Sequence, residues 1–409
     1  MHLLKIQTVL DYLEKFPENQ QDDLVLMVDA YDVWFQLPPE TIIRRYLEQV
    51  DIDHARLKER FGKEAVKEND FQQTVYFSND KICWPDLEGK RPACWAVPPS
   101  PLVRDAYGPL DDSKFPAYEG WLNGYTRRAR WLNSGSMMGP VKDMKKMFRA
   151  VAKYVKDHYE FNSDQYYFAQ IWGNQEYARL LASPNRTLLK DDKHEKPDLA
   201  KDSGGRRNAE YHMSLDYENS MFQPIGYYDP FLSFLQFDGS IQSGRPKDAP
   251  IPYSDAFELA ADIREARPPL DLMPVPKAKA DGRKMRMKGW HELPLLTNLV
   301  TKHTIPVVHF MVEKQYRVKW WDRMWYAPFA RDLFEASISA GNLPILSKPI
   351  KGKMWKNAEL PVVKANVDAG GKRDGAWTDT GMWLSWNSLC LAHEEYIFTA
   401  DRRESYTQG

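Results

Sequence analysis

The chain has 409 residues, 43% of them hydrophobic and 13% aromatic, with a formal net charge of -1. That is ample for one large domain with insertions or for two domains, and the near-neutral balance without a basic block argues against nucleic acid as the main partner. No apolar run reaches membrane-spanning length, and Cys83, Cys94 and Cys390 make neither a metal-site spacing nor a dense disulfide framework.

Ile6, Val9, Leu10 and Leu13 recur at helical spacing and predict an amphipathic first helix, stopped at Pro17. Leu24 to Val28 is an unbroken apolar run, expected to be a strand buried on both faces. It ends on Asp29 and Asp32, with Tyr31 between. Pro38-Pro39 opens a second helix carrying Ile42, Ile43, Tyr46, Leu47 and Val50 on one face. The charged segment from Asp51 to Asp70 reads as a solvated helix or loop. Thr74 to Phe77 is a second strand, ending at Ser78-Asn79-Asp80. Strand, helix, strand at this spacing predicts a βαβ unit and a parallel sheet.

Turn-forming residues crowd the region from Cys83 to Trp121. Cys83 and Cys94 are close enough in sequence to bridge in an oxidising compartment. Trp131 to Gly139 reads as a short segment with two glycines. A helix follows it, and Ser163 is the expected N-cap of another. Residues 190–209 are expected to form an exposed loop, and Pro246 to Pro276 an irregular excursion. Ile305 to His309 is a short late strand whose Pro306 suggests an edge or a strand start.

Acidic or polar groups therefore stand at three strand ends: Asp29 and Asp32, Asn79 and Asp80, and His309. In open α/β sheets, ligands gather at the carboxyl ends of strands. Carboxylates with one imidazole suit Mn²⁺ or Mg²⁺, and such a cation usually accompanies a phosphate. The plainer alternatives are a strand-ending Asp29, a turn-capping Asp32 and a hydrogen-bonded core histidine. A haloacid-dehalogenase-type phosphohydrolase also uses Asp after a strand, but there nucleophile and acid are two residues apart; Asp29 and Asp32 are three apart.

Val28-Asp29-Ala30-Tyr31-Asp32-Val33 resembles the metal motif of the glycosyltransferase domain found in the procollagen lysyl hydroxylase/glucosyltransferase and procollagen galactosyltransferase-like group and its fungal glycosyltransferase-like relatives. In the same order, Phe77-Ser78 with Cys83-Trp84-Pro85 resembles the segment beside the donor sugar. Trp131-Leu132-Asn133-Ser134-Gly135 resembles the group's "R-[FY]-L-N-S-G" segment. Ser163-Asp164-Gln165 resembles its acidic stretch, and Val307-Val308-His309 its late metal histidine. The resemblance covers about residues 1 to 325. It implies an α/β fold of the GT-A-like nucleotide-diphospho-sugar transferase type, a mixed sheet flanked by helices, acting on a UDP-sugar with Mn²⁺ (or Mg²⁺).

The implied metal ligands are Asp29, Asp32 and His309. Tyr31 would stack on the uracil, Lys5 would reach the donor phosphates, and Trp84 and Asp164 would lie near the transferred sugar. Asp164 either orients the acceptor hydroxyl or serves as its base. Asn79, Asp80, Asn133, Ser134, Gly135 and Gln165 complete the expected substrate site, with Lys314 as a point charge for the diphosphate. The implied acceptor is a protein or glycan hydroxyl.

Three departures stand out. Phe310, Met311 and Val312 replace the Asn and Gly common after the histidine; the acidic stretch is reduced to Ser163-Asp164; and the strand that precedes the Lys5 helix in the group is expected to be missing here. The first and the last of these, Met311-Val312 and the strand, favour the alternative of a non-catalytic nucleotide-sugar or carbohydrate-binding relative, a truncated pseudoenzyme. Residues 1–330 are expected to form the transferase domain, with loop insertions at 190–209 and 240–282, and 331–409 an aromatic-rich extension. With no leader at Met1 the product reads as soluble; as a fragment of a longer chain it would belong to the secretory pathway, in the Golgi or ER lumen.

Overall fold

A computed structural model describes residues 3–85, 89–108, 124–183, 194–197, 199, 209–237, 257–267, 289–312, 314–331, 333, 349–356, 375–377 and 382–393. The first helix spans Leu4–Leu13 and buries Ile6, Leu10 and Leu13, the face its periodicity predicts. β1, Leu24–Val28, follows, and then β2, Val33–Phe35. A long helix, Pro39–Phe61, starts at its proline, whose missing N–H costs nothing there.

β3, Val75–Asp80, and β4, Trp131–Pro140, form the centre of a four-stranded sheet completed by β1 and β5, Met213–Leu215. The strand order is β1-β4-β3-β5. β4 runs antiparallel to both β1 and β3, and β5 runs parallel to β3. The sheet is therefore mixed. β1 and β3 point the same way, as a βαβ unit requires, but β4 lies between them. β1 is half-exposed along its length and, among the described residues, pairs with β4 only. The expectation of a strand buried on both faces is corrected: an edge position leaves part of each residue open.

Alternation in the two central strands builds three layers. Phe77 and Met137 face a core shared with the helices Leu4–Leu13, Val141–Asp157 and Asp164–Ala182. Their neighbours Tyr76 and Met138 face a second core under the helix Pro39–Phe61. A second sheet, in the order β2-β9-β6, joins β2 to β9, Val307–His309, and β6, Phe222–Pro224. β9 is thus the central strand of that sheet, not an edge. Pro306 lies just outside it, so no ladder hydrogen bond is lost. β7, Leu232–Leu235, pairs with β8, Leu295–Asn298.

Two further expectations change. The segment Asp51 to Asp70 is not simply solvated, because Leu57, Phe61, Val66 and Phe71 close a small core of their own. Most of 190–209 lies outside the described residues, but His194 stacks on Trp95 and Leu199 is buried nearby. Most of 240–282, Pro246 to Pro276 included, also lies outside them. Cys83 and Cys94 are joined in a disulfide. Among the described residues no helix is long and apolar enough to cross a membrane.

Candidate metal and substrate site

The chain leaves one sheet for the other between β1 and β2, and the four residues of that passage carry Asp29, Tyr31 and Asp32. The Asp29 N–H donates to the Gly135 carbonyl of β4, while the Asp32 carbonyl accepts from Phe310 N–H. Val33 pairs with His309 across β2 and β9. Three distant stretches meet here because both sheets are anchored at this passage.

β4 contributes through a bulge. Phe77 pairs with Met137, but the next residue of β3, Ser78, pairs with Asn133. Ser134, Gly135 and Ser136 have no counterpart on β3, and the bulge re-aims them. Gly135 meets the His309 ring: a Cβ there would lie 2.1 Å from the imidazole Cε1. Glycine is what allows this approach.

Asp29, Asp32 and His309 place one ligand atom each within 4.8 Å of one another, so together they could hold a metal ion. The donor set also fits one. Asn133 Oδ1 accepts from the Gly135 N–H at 3.0 Å, which marks that atom as oxygen, and lies 3.1 Å from His309 Nδ1. Nδ1 therefore carries the proton and Nε2 the lone pair. That lone pair faces Asp32 Oδ1 at 3.6 Å. Two acceptors facing each other favour a cation between them. Burial holds the His309 pKa below its usual value despite Asp32 and Asp29, leaving the imidazole neutral, as a ligand must be.

Cations ring the cluster. Lys5 Nζ lies 2.7 Å from Asp29 Oδ1, 2.8 Å from Asp164 Oδ2 and 3.2 Å from the Ser134 carbonyl. Burial pulls its pKa down, but Asp164 and Asp29 more than offset that and raise it. Lys314 Nζ lies 3.4 Å from Asp32 Oδ2. Ser134 Oγ is 3.2 Å from Asp164, the first residue of its helix. Asn133 Nδ2 donates to Gln165 Oε1, and at the end of β3 the Asp80 carboxyl accepts from the Ile82 N–H. Burial pushes that carboxyl up to about 7.

Of the expected residues, the structure thus gathers Lys5, Asp29, Asp32, Asn133, Ser134, Gly135, Asp164, Gln165, His309 and Lys314. Asp80 is buried and accepts from the Ile82 N–H. Tyr31, 74% exposed, stands at the rim. Trp84 is 41% exposed. Asn79 is fully buried and turned inward, bonded to the Tyr228 hydroxyl and the Asp216 carbonyl. One residue was missed. Arg317 lies 4.2 Å over the Tyr31 ring and donates to the Tyr31 carbonyl at 3.0 Å. It draws the phenol pKa down. Its only sequence signal was a second cation one helical turn beyond Lys314.

An α/β chain with two carboxylates and an imidazole converging between two sheets is the class defined so far. No family model matches it. It is similar to the "Multifunctional procollagen lysine hydroxylase and glycosyltransferase" of Caenorhabditis elegans, 24% identical over 177 residues. The match takes in 43% of this chain and 17% of that protein.

Proposed function

We propose that this chain is a metal-dependent glycosyltransferase that moves a hexose from a UDP-sugar to an acceptor hydroxyl. The observation that carries the reading is the convergence of Asp29, Asp32 and His309; the distant likeness to a glycosyltransferase supports it. In this reading the three residues hold Mn²⁺ or Mg²⁺, which when bound neutralises charge developing on the departing nucleoside diphosphate. Lys314 and Arg317 add positive charge on the side of Tyr31, which offers a ring to the base. Lys5 reaches the diphosphate from the other side. Asp164, held by Lys5 and Ser134, receives or orients the acceptor hydroxyl at the first turn of its helix. The whole-protein activity, the acceptor and any secretory setting are parts of the same proposal, as is the division into a transferase domain over 1–330 and an extension over 331–409.

Thermal denaturation with Mn²⁺, UDP and both tests it. Ligand at a hundred times Kd should stabilise the fold by about 2.7 kcal/mol through mass action. Asp32→Ala should abolish the gain. An equal gain in the variant would remove Asp32 from the site, and no gain in the parent chain would sink the metal–nucleotide reading.

A further inference from the structure

Lys81 follows β3 directly and is fully buried. Its Nζ sits 3.4 Å from the centroid of the Tyr107 ring, 4.3 Å from that of Tyr228 and 4.8 Å from that of Phe231. Aromatic faces offset part of the cost of burying an ammonium. The same Nζ donates to the carbonyls of Tyr125 and Tyr227, each at 3.1 Å. Two segments far apart in sequence are clamped together at their tyrosines.

The rings of that pair meet edge to face, 5.4 Å apart at 78°. Gly124 makes room, since a Cβ there would lie 2.6 Å from the Tyr227 ring. Tyr227 itself holds φ at +63°, a region bulky side chains avoid. Strain of this kind collects at ligand sites, where the surroundings enforce it. The corner is not core: Tyr125 is 42% exposed and Tyr227 half-buried.

Its position relates it to the cation cluster. Gly226 abuts Met311 and Val312, and a Cβ on it would come within 3.2 Å of the Val312 side chain. Met311 Sδ accepts from Asn133, the residue that orients His309. On the other side lies Asp80: burial first, and then that carboxylate, push the Tyr227 phenol pKa up.

We propose that Tyr125 and Tyr227 form an acceptor subsite that stacks the C–H face of a saccharide ring beside the cation cluster. Its role in transfer rests on the glycosyltransferase reading; the binding itself does not. Two rings at right angles present one face and one edge, with two phenol hydroxyls to meet the polar rim of a pyranose.

Saturation-transfer NMR on the full chain, with methyl β-glucoside, methyl β-galactoside and methyl α-mannoside as probes, tests it. Saturation of ring C–H protons is expected for at least one probe. Its affinity should weaken about tenfold in Tyr227→Gly, which tolerates the positive φ. Tyr125→Ser, which leaves the strained position alone, should weaken it similarly and decides the matter if the first variant does not fold. The subsite is overturned if no hexoside binds, or if a folded variant binds as tightly as the parent. It is also overturned if a hydroxyl-bearing peptide, such as a serine-rich one, binds in place of all three hexosides. The UDP–Mn²⁺ thermal response of the same samples reads the nucleotide site separately. Hexoside binding without that response sustains the subsite and sinks the transferase reading; the response without hexoside binding does the reverse.

Discussion

At the scale of single residues, Gly135 decides where His309 can stand. A methyl group there would overlap the imidazole, which is held by Asn133 and by β9 and has little room to yield. Gly135→Ala is expected to weaken Mn²⁺ binding by about 10- to 100-fold, the range found when the surroundings of a metal ligand are disturbed. Titration of free Mn²⁺ by electron paramagnetic resonance measures it; unchanged affinity would mean that His309 is not a ligand. The sequence singled out Gly135 as a substrate contact, without the packing reason. Val312 shows the opposite case. Its replacement of a small residue after the histidine was visible, but only the backbone reveals the cost, a β-branched residue at φ +61°. Arg317 stayed hidden because its partner, Tyr31, is remote in sequence and the contact exists only in three dimensions.

At the scale of elements, the helix Asp164–Ala182 aims one carboxylate into the site from its first turn, where Lys5 and Ser134 hold it. Asp164→Asn keeps that geometry and removes the charge. UDP affinity should persist while transfer falls by about 10²- to 10⁴-fold, the usual weight of a positioned acid or base. Loss of UDP affinity instead would assign Asp164 to the nucleotide. The first helix, β1, the proline-started helix and the start of β3 were all legible from apolar periodicity. β4 was not. Asn133, Ser134, Gly135 and Ser136 are polar or glycine, and the three-residue bulge breaks the alternation that marks a strand. One of the two central strands of the sheet thus read as a glycine-containing segment. With it went the true neighbour of β1, since β4 inserts between two strands that the connection alone would pair.

At the scale of the whole molecule, the layers on either side of β3 and β4 bury its end, and with it a carboxyl group. Asp80 titrates at about 7 in the folded chain because burial disfavours its charge, against about 3.9 when unfolded. Below about 4 both states hold the proton and the preference for the neutral form is fully expressed. As pH rises the unfolded chain ionises first, so this contribution to stability declines until pH passes about 7. Asp80→Asn keeps the shape without the titration. Its denaturation midpoint should vary less between pH 4 and 7 than that of the parent chain, and parallel profiles would show that Asp80 is ionised throughout.

The Cys83–Cys94 disulfide has a consequence for anyone who makes the protein. It ties the segment after β3 to the short helix Pro92–Trp95. β4 grips that helix in turn through the Trp131 indole on the Cys94 carbonyl, and Arg130, just before β4, donates to the carbonyls of Trp95 and Val97. The bridge thus locks a ring around Trp84, on the same β4 that bends into the cation cluster. A host cytosol that keeps thiols reduced would yield the open form. Loop-closure entropy puts the loss at about 3 kcal/mol for a ring of this size. Material refolded with an oxidant and material kept in dithiothreitol should therefore melt at different temperatures. Equal melting points, with the bridge verified by mass spectrometry in one sample alone, would show that the ring holds its shape without the bond. Otherwise the choice of expression strain decides which of two proteins is being assayed.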